Sequence, residues 1–387
     1  MATQQSKQPR FILALQYFLF FGVLGIFLPF FNLYCYHLGF SGFQIGALFS
    51  ARTGATVIFP LVWGALADRF AARKAIYVLC NFMAAGIWSF FLLTTNFYLM
   101  LIITTFYGVF RAPVISFMEA FAMDILGDEK SSYGRVRAWG TISFVCIVIA
   151  LGRITEVVPI SLIIPLILAG TLIQSFSAIA LPSVDKKQDS IGSPKSVLGR
   201  KEVVVFLICA FLMLAGHGTY YGFFSIHLEN MGFGNTFIGF TWALASIAEI
   251  TVMIASRRLF ARFSLENVLV FSFFVACIRW IMMFFAASGV LVLLSQLLHA
   301  VTYGAFHMAS ILYIDRVSSD NTKTLGQALN NAVSFGLGMM LGVFVNGIFY
   351  DYVGSTPLFL GSAAISLIGG IMLWVVFRGK EKRREVI

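Results

Sequence analysis

The chain has 387 residues, of which 59% are hydrophobic and only 11% are charged. A soluble globular protein carries about 25% charged residues, so a chain this apolar is typical of a protein surrounded by lipid. The net charge of +10 does not indicate a nucleic-acid partner. The basic residues fall in short segments between long apolar runs, which is the pattern of membrane topology.

Twelve apolar runs are long enough to cross a membrane, since a spanning helix needs about 20 mainly apolar residues. Their length excludes the short alternating strands of a membrane β-barrel. The first six lie near residues 11–36, 43–66, 75–95, 97–124, 136–157 and 159–181. The other six lie near residues 201–227, 235–256, 264–288, 289–315, 324–350 and 354–377. We therefore predict an all-α membrane protein with twelve transmembrane helices.

The placement of Lys and Arg predicts the orientation of these helices. Arg153 lies in an outer loop, and Arg52, Arg111 and Arg279 lie inside spans. The rest of the 27 Lys and Arg residues lie in the N-terminal tail, the C-terminal tail and the loops that follow even-numbered spans. Positively charged loops remain on the cytoplasmic side. We therefore expect both termini in the cytoplasm and the protein in the cell inner membrane.

An internal repeat supports a division into two bundles of six helices. Residues 39–46 (GFSGFQIG) align with residues 232–239 (GFGNTFIG), and the same offset places Arg69-Phe70 on Arg262-Phe263. The polar segment 182–200 between the bundles is rich in Ser and Lys and contains Pro, which is typical of a linker. The predicted domains are therefore residues 1–181, a cytoplasmic linker 182–200, and residues 201–387.

The segment between the second and third spans, residues 64–74 (GALADRFAARK), resembles the loop signature of the major facilitator superfamily. Ala72 stands at a position where we expect glycine in that signature. We expect Gly64 to permit close helix packing and Asp68 to cap or pair with a neighbouring helix end. The basic residues of the motif are expected to hold the loop at the cytoplasmic face. They are Arg69, Arg73 and Lys74.

A more specific resemblance extends over most of the chain. It is carried by residues 25–30 (GIFLPF), 133–140 (YGRVRAWG) and 216–223 (GHGTYYGF). These segments resemble the 3-phenylpropionate permease family, relatives of the lactose permease group of proton symporters. The resemblance implies the major facilitator fold and uptake of a small organic solute together with a proton. It favours an aromatic or other monocarboxylate as the solute.

Ionisable residues inside spans are costly and usually functional, and three of them fall at similar depths in the second half. Glu249, Arg279 and His299 lie about 15–21 Å from the outer ends of their spans, at 1.5 Å per residue. We predict that they form a proton-coupling layer, as the same residue types do in lactose permease. Thr302 and Tyr303 stand where that group has an acidic residue, so Glu249 is the predicted proton carrier. The alternative is a structural ion pair between Glu249 and Arg279.

The first half carries candidate contacts for an anionic substrate. Arg111 lies near mid-depth, and a guanidinium binds a carboxylate through two parallel hydrogen bonds. Arg52 and Glu119 are further candidates, and the alternative is a structural network among Arg111, Glu119 and the fifth span. The second half adds His217, Tyr220, Tyr221 and His307 as candidates. A packed, hydrogen-bonded histidine is the alternative for His217.

Other ionisable and aromatic residues receive simpler interpretations. Asp124 is interpreted as a gate or a loop partner, and His37 and His227 as solvated groups at outer helix ends. Trp280 is interpreted as a membrane-interface or lipid-facing residue.

The sequence contains no metal-ligand cluster, phosphate-binding glycine loop or nucleophile motif. We therefore expect that the protein is not an enzyme and that it has no catalytic residue, metal or cofactor. We expect a gradient to supply the energy. A proton-driven exporter and a sugar or nucleoside symporter on the same fold are alternatives. A non-transporting receptor or scaffold is a different class, but it predicts no ionisable residues at mid-depth. The expected partners of a monomer are a small-molecule substrate, a proton and the lipid bilayer.

Overall fold

The computed structural model describes residues 7–183, 199, 201–319 and 322–385. It contains twelve helical segments long and apolar enough to span a membrane, labelled α1–α12. The first six are Gln8–His37, Gly42–Arg69, Arg73–Leu92, Phe97–Leu126, Tyr133–Ile154 and Ile160–Ile179. The other six are Lys201–Asn230, Asn235–Arg262, Leu265–Phe284, Gly289–Val317, Leu325–Val353 and Ser355–Gly379. The predicted all-α membrane architecture is confirmed, and most of the predicted linker 182–200 lies outside the described residues.

The helices form two compact units. One unit is Met1–Asp189 with Leu228–Ala243, and the other is Ser190–His227 with Leu244–Ile387. The start of α8 belongs to the first unit because it packs closely on α5. A Cβ added to Gly239 would lie 2.2 Å from the carbonyl oxygen of Val148. The side chain of Asn235 also donates a hydrogen bond to the carbonyl of Thr155 at 3.1 Å. Residues 228–243 therefore belong to the first unit, although they lie in the second half of the sequence.

In the first unit, α1 packs against α5 and α6, α2 packs against α4, and α3 packs against α4 and α6. A cluster of buried aromatic rings lies between α1, α3 and α4. The ring of Trp88 is 5.7 Å from that of Phe31 and 4.8 Å from that of Tyr107. At Gly108 in α4, an added Cβ would lie 3.1 Å from the Cα of Arg52 in α2. This close approach brings the polar residues of α2 and α4 to the same region of the unit.

The second unit contains three irregular spanning segments. The segment α7 consists of two helices, Lys201–Gly216 and Gly218–Asn230, which meet at His217. Glycine is a poor helix former, and Gly218 lies so close to α11 that a Cβ would be 2.4 Å from the carbonyl carbon of Gly342. Each of α10 and α11 contains a π-helical stretch, Ala300–Ala305 and Asn331–Gly338 respectively. Such stretches are often found at functional sites.

The repeated sequence encodes the same turn at the ends of α1 and α7. Gly39 and Gly232 both have a left-handed backbone, with φ of 79° and 85°. The amide of Phe40 donates to the carbonyl of Cys35 at 3.1 Å, and that of Phe233 donates to Leu228 at 3.0 Å. This hydrogen bond across a left-handed residue ends a helix and favours glycine. The internal repeat therefore encodes the same helix terminus in both halves of the chain.

The loop between α2 and α3 is tied to the end of α4. Arg73 Nη1 lies 2.7 Å from Asp124 Oδ2, so Asp124 is a loop partner. A Cβ added to Gly64 would meet no atom within 4 Å, so the expected close helix packing is absent at this residue. The carboxylate of Asp68 has no hydrogen bond or ion pair within the described chain, although its carbonyl accepts from the amide of Ala71 at 3.3 Å.

The backbone of this loop favours glycine at a different residue from the one expected. Ala71 has φ of 47°, whereas Ala72 has φ of −126°. A left-handed backbone is strained for alanine and relaxed for glycine. The residue at which glycine is physically favoured is therefore Ala71, and the expectation for Ala72 is wrong.

We expect Ala71→Gly to stabilise the protein by about 0.5–1 kcal/mol, because relief of the left-handed strain exceeds the added entropy of the unfolded chain. Ala72→Gly is the matched control, and we expect it to be destabilising because it adds the same entropy without relieving strain. The measurement is the thermal unfolding midpoint of both variants in detergent. A midpoint for Ala71→Gly at or below that of Ala72→Gly would contradict the assignment.

Candidate substrate and proton site

The second unit brings three of the candidate residues into direct contact. Glu249 comes from α8, Arg279 from α9, and His299 from the residue before the π-helical stretch of α10. Arg279 is fully buried, and the side chain of His299 is 2% exposed. The side chain of Glu249 is 20% exposed. The carboxylate end of the group is therefore accessible to solvent, whereas the guanidinium end is enclosed by protein.

His299 lies between the other two charged residues. Arg279 Nη1 is 2.6 Å from His299 Nδ1, and His299 Nε2 is 2.8 Å from Glu249 Oε1. Because a guanidinium only donates hydrogen bonds, Nδ1 accepts from it and carries no proton. The ring proton then lies on Nε2 and is donated to Glu249. The sequence predicted a direct Glu249–Arg279 ion pair as the structural alternative, and the structure places an imidazole between them.

Neutral groups complete the surroundings of Arg279. Its nitrogens donate to Thr302 Oγ1 at 3.1 Å and to Gln296 Oε1 at 3.2 Å. The rings of Tyr220 and Trp280 lie 4.6 Å and 4.5 Å from the guanidinium carbon, which adds two cation–π contacts. Trp280 is fully buried, so its interpretation as an interface residue is wrong.

Sequence reasoning missed Gln296 and Thr302 because it counted only ionisable groups inside the spans. Both are fully buried, and they lie three residues before and three residues after His299 in α10. Residues at this spacing share one face of a helix. The sequence therefore indicates a polar face of α10 through the spacing of these uncharged residues around His299.

The other candidates of the second unit surround this group. His217 Nδ1 is 2.8 Å from the carbonyl oxygen of Met213, which only accepts, so Nδ1 is the donor. Its Nε2 has no hydrogen-bond partner in the part of the chain described. The ring is fully buried, with its centroid 5.0 Å from that of Trp280. His217 is therefore packed and hydrogen-bonded on one side, while its other nitrogen is buried without a partner.

Aromatic residues extend the group along α10. The rings of Tyr221 and His299 lie 6.5 Å apart, and Tyr303 stacks on His299 with a centroid distance of 5.1 Å. The ring of His307 is nearly parallel to that of Tyr303 at 6.3 Å. His307 is therefore connected to the group through Tyr303.

In the first unit, Arg111 belongs to a buried network of uncharged groups. Arg111 Nη1 donates to Gln174 Oε1 at 2.7 Å, and the amide of Gln16 donates to the carbonyl of Gln174 at 3.2 Å. Tyr77 donates its hydroxyl proton to Gln16 Oε1 at 2.7 Å. Sequence reasoning missed the two glutamines and Tyr77 for the same reason as in α10. Of the alternative network among Arg111, Glu119 and the fifth span, the contact of Glu119 with that span is present, because Glu119 accepts from the hydroxyl of Tyr133 at the start of α5. Within the described residues, Arg111 forms no hydrogen bond or ion pair with Glu119.

The remaining two histidines differ from each other. His37 Nε2 is 2.7 Å from Glu229 Oε1, and both side chains are partly exposed. His227 is 2% exposed, and its Nδ1 lies 3.0 Å from Ser355 Oγ. The interpretation of His227 as a solvated group is therefore wrong. Its neighbours at the same helix end pack around it, which a sequence position alone does not show.

We expect His299→Gln to preserve the stability of the second unit better than His299→Leu. The glutamine amide offers one acceptor for Arg279 and one donor for Glu249, whereas leucine offers neither. Leaving one member of a buried charged pair without its partner costs about 3–5 kcal/mol. The measurement is the thermal unfolding midpoint of each purified variant. Equal midpoints for the two variants would contradict the bridging role of His299.

Residues 11–361 match the MFS_1 like family. The chain is 26% identical over 352 residues to the "Probable 3-phenylpropionic acid transporter" of Escherichia coli (strain K12), covering 88% of this chain and 91% of the relative. It is 24% identical over 355 residues to the "Nucleoside permease NupG" of Escherichia coli (strain K12), covering 80% of each.

The crystal structure of the nucleoside transporter NupG has the same fold. Its TM-score with this protein is 0.82 at 19% sequence identity, covering 95% of this chain and 99% of that chain. The family match covers nearly the whole chain and the fold agrees with it. The chain therefore belongs to the MFS_1 like family, and it is a multi-pass membrane transporter of the major facilitator superfamily rather than an enzyme.

Proposed function

We propose that the protein is a proton-coupled symporter that takes up a small organic solute, with a carboxylate favoured. The observation that carries this proposal is the hydrogen-bonded chain Arg279–His299–Glu249. It joins a fixed cation to a protonatable carboxylate inside membrane-spanning helices. The 26% identical relative is named a probable 3-phenylpropionic acid transporter, which supports a carboxylate.

The chain of hydrogen bonds gives a physical basis for coupling. While Glu249 is ionised, it balances the charge of Arg279 through the imidazole of His299. When Glu249 takes a proton, Arg279 keeps its charge among the neutral ligands Gln296 and Thr302. A solute anion bound elsewhere in the protein then becomes favourable, because it offsets the positive charge that Glu249 no longer balances. Proton binding and anion binding strengthen each other by the same factor, as linkage requires.

The exposure of the three side chains supports Glu249 as the proton-exchanging group. Glu249 is 20% exposed, whereas His299 is 2% exposed and Arg279 is fully buried. Water therefore reaches the carboxylate more readily than the other two groups. The neutral imidazole, with its proton on Nε2, acts as the connection between carboxylate and cation. This supports Glu249 as the proton carrier and Arg279 as the group that responds to its charge.

Two other transport modes remain candidates. A proton-driven exporter uses the same linkage in the opposite direction. The nucleoside permease among the similar proteins supports a sugar or nucleoside symporter. A buried guanidinium favours carboxylate uptake over nucleoside uptake, because it matches a planar anion with two parallel hydrogen bonds.

We further propose that the protein acts as a monomer in the cell inner membrane, with both termini in the cytoplasm. The distribution of Lys and Arg among the loops supports this orientation. The partners in this proposal are the solute, a proton and the lipid bilayer. No cofactor is required, because the proton gradient supplies the energy.

We expect Glu249→Gln to abolish uphill accumulation while preserving solute exchange. The amide still accepts the hydrogen bond from His299 but has no proton to release. The measurement is uptake of labelled 3-phenylpropionate into proteoliposomes, driven by a pH gradient or by counterflow. We expect pH-driven accumulation to fall about tenfold or more, since coupling depends on this one site.

Glu266→Gln is the matched control for this experiment. Glu266 lies at the start of α9, is partly exposed and pairs with Arg316, away from the proposed coupling group. We expect this variant to retain pH-driven accumulation. Unimpaired accumulation by Glu249→Gln would place proton coupling elsewhere.

We expect a cysteine at position 380 to be inaccessible from outside intact cells. The experiment uses Lys380→Cys in a variant without the five native cysteines and a membrane-impermeant maleimide. Labelling should appear only after the membrane is permeabilised. Arg153→Cys is the control, and it should be labelled in intact cells. External labelling at position 380 would reject a cytoplasmic C-terminus.

A further inference from the structure

Two arginines of the first unit lie inside spanning helices without an acidic partner. They are Arg52 in α2 and Arg111 in α4, and neither forms an ion pair with any residue of the described ranges. The acidic residues farther along α4 have other partners. Glu119 accepts from Tyr133, and Asp124 pairs with Arg73. Uncompensated charge inside a membrane is costly, so two retained cations indicate a counter-charge that is supplied from outside the chain.

The two guanidiniums rest on the same face of α1. The guanidinium carbon of Arg52 lies 4.2 Å from the ring centroid of Phe27, and that of Arg111 lies 4.3 Å from Phe20. These two phenylalanines are seven residues apart, which is two helical turns and roughly 10 Å along the axis. Each guanidinium therefore rests on its own ring of α1, and each can take a separate anionic group through its own hydrogen bonds.

Arg111 is held in place by neighbouring uncharged groups. It is 5% exposed, and its guanidinium donates to Gln174, which is itself held by Gln16. Tyr77 in turn donates to Gln16. All of these partners are neutral, so they fix the direction of the guanidinium without cancelling its charge. Arg111 is thus a preorganised positive centre.

Arg52 has open hydrogen-bonding capacity. It is partly exposed, and its buried Nε has no hydrogen-bond partner in the described residues. Its guanidinium lies over the face of Phe27, which holds it through a cation–π interaction. Arg52 is therefore a preformed cation with free donors inside the membrane.

We infer that the transported solute carries two anionic groups, one at each end of an apolar body. One group contacts Arg52, the other lies toward Arg111, and the apolar body packs along α1 between Phe20 and Phe27. This inference rests on the proposed uptake of an organic carboxylate and narrows its substrate class. It departs from the single carboxylate that the family resemblance implies.

The first experiment compares three acids on the unaltered protein in lipid nanodiscs at neutral pH. The acids are 3-phenylpropionate, with one carboxylate, 3-(4-carboxyphenyl)propionate, with a carboxylate at each end, and phenylsuccinate, with two on adjacent carbons. Isothermal titration calorimetry gives each Kd. We expect 3-(4-carboxyphenyl)propionate to bind at least about tenfold more tightly than either other acid, because charge-assisted contacts form at both ends.

The outcomes separate this inference from the proposed function. Binding of 3-phenylpropionate as tight as that of the two-ended acid overturns the inference and leaves carboxylate uptake in place. Tightest binding by phenylsuccinate overturns the two-ended geometry. Binding of none of the three acids overturns the proposed carboxylate uptake, and the inference falls with it.

A pair of variants then tests Arg52 directly. Arg52→Gln should bring the Kd of the two-ended acid to within about twofold of that of 3-phenylpropionate, because only one cation remains. Arg153→Gln, which removes an exposed arginine at the end of α5, should keep the tenfold preference. An unchanged preference in folded Arg52→Gln protein would overturn the role of Arg52. If Arg52→Gln does not fold, the comparison of the three acids on the unaltered protein tests the inference by itself.

Discussion

A fully buried guanidinium that forms no ion pair with a carboxylate of the described residues is the constraint around which the second unit is built. Arg279 keeps its charge, so the surrounding side chains must supply acceptors and a path to a negative charge. Gln296 and Thr302 supply acceptors, and His299 supplies the path to Glu249. The imidazole can do this only with its proton on Nε2. The protonation state of Glu249 is thereby linked to the electrostatic environment of Arg279.

The irregular helices of the second unit are consistent with this requirement. A regular α-helix satisfies all of its backbone groups, which makes breaks in a membrane rare unless they are buried within protein. The break in α7 occurs at His217, whose ring contacts Trp280, and the π-helical stretch in α10 begins directly after His299. Both irregularities therefore lie at the residues that surround the buried cation. The close contact of Gly218 with α11 allows the broken segment to remain packed.

The surroundings of the cations in the first unit differ from those of Arg279. Arg111 is surrounded by neutral amide and hydroxyl groups, and Arg52 rests on an aromatic ring. This arrangement fixes the direction of each cation and leaves its charge unbalanced. A protonatable hydrogen-bonded chain in one unit, and two cations without an acidic partner among the described residues in the other, are consistent with the proposed binding of a proton together with an anion. The 3-phenylpropionic acid transporter and the nucleoside permease among the similar proteins fit this view, because one fold hosts sites for different solutes.

The number of spanning helices, their all-α character and the repeated turn at Gly39 and Gly232 were determined by the sequence itself. Apolar run length and left-handed glycines are local properties, and each is read from neighbouring residues. The sequence also indicated that Glu249, Arg279 and His299 lie at similar depths. The tertiary structure decided which of them touch, because contacts between helices depend on helix rotation and on breaks that a uniform 1.5 Å rise does not include. It therefore placed His299 between the two charges, Gln296 and Thr302 on Arg279, and Gln174 in place of Glu119 beside Arg111.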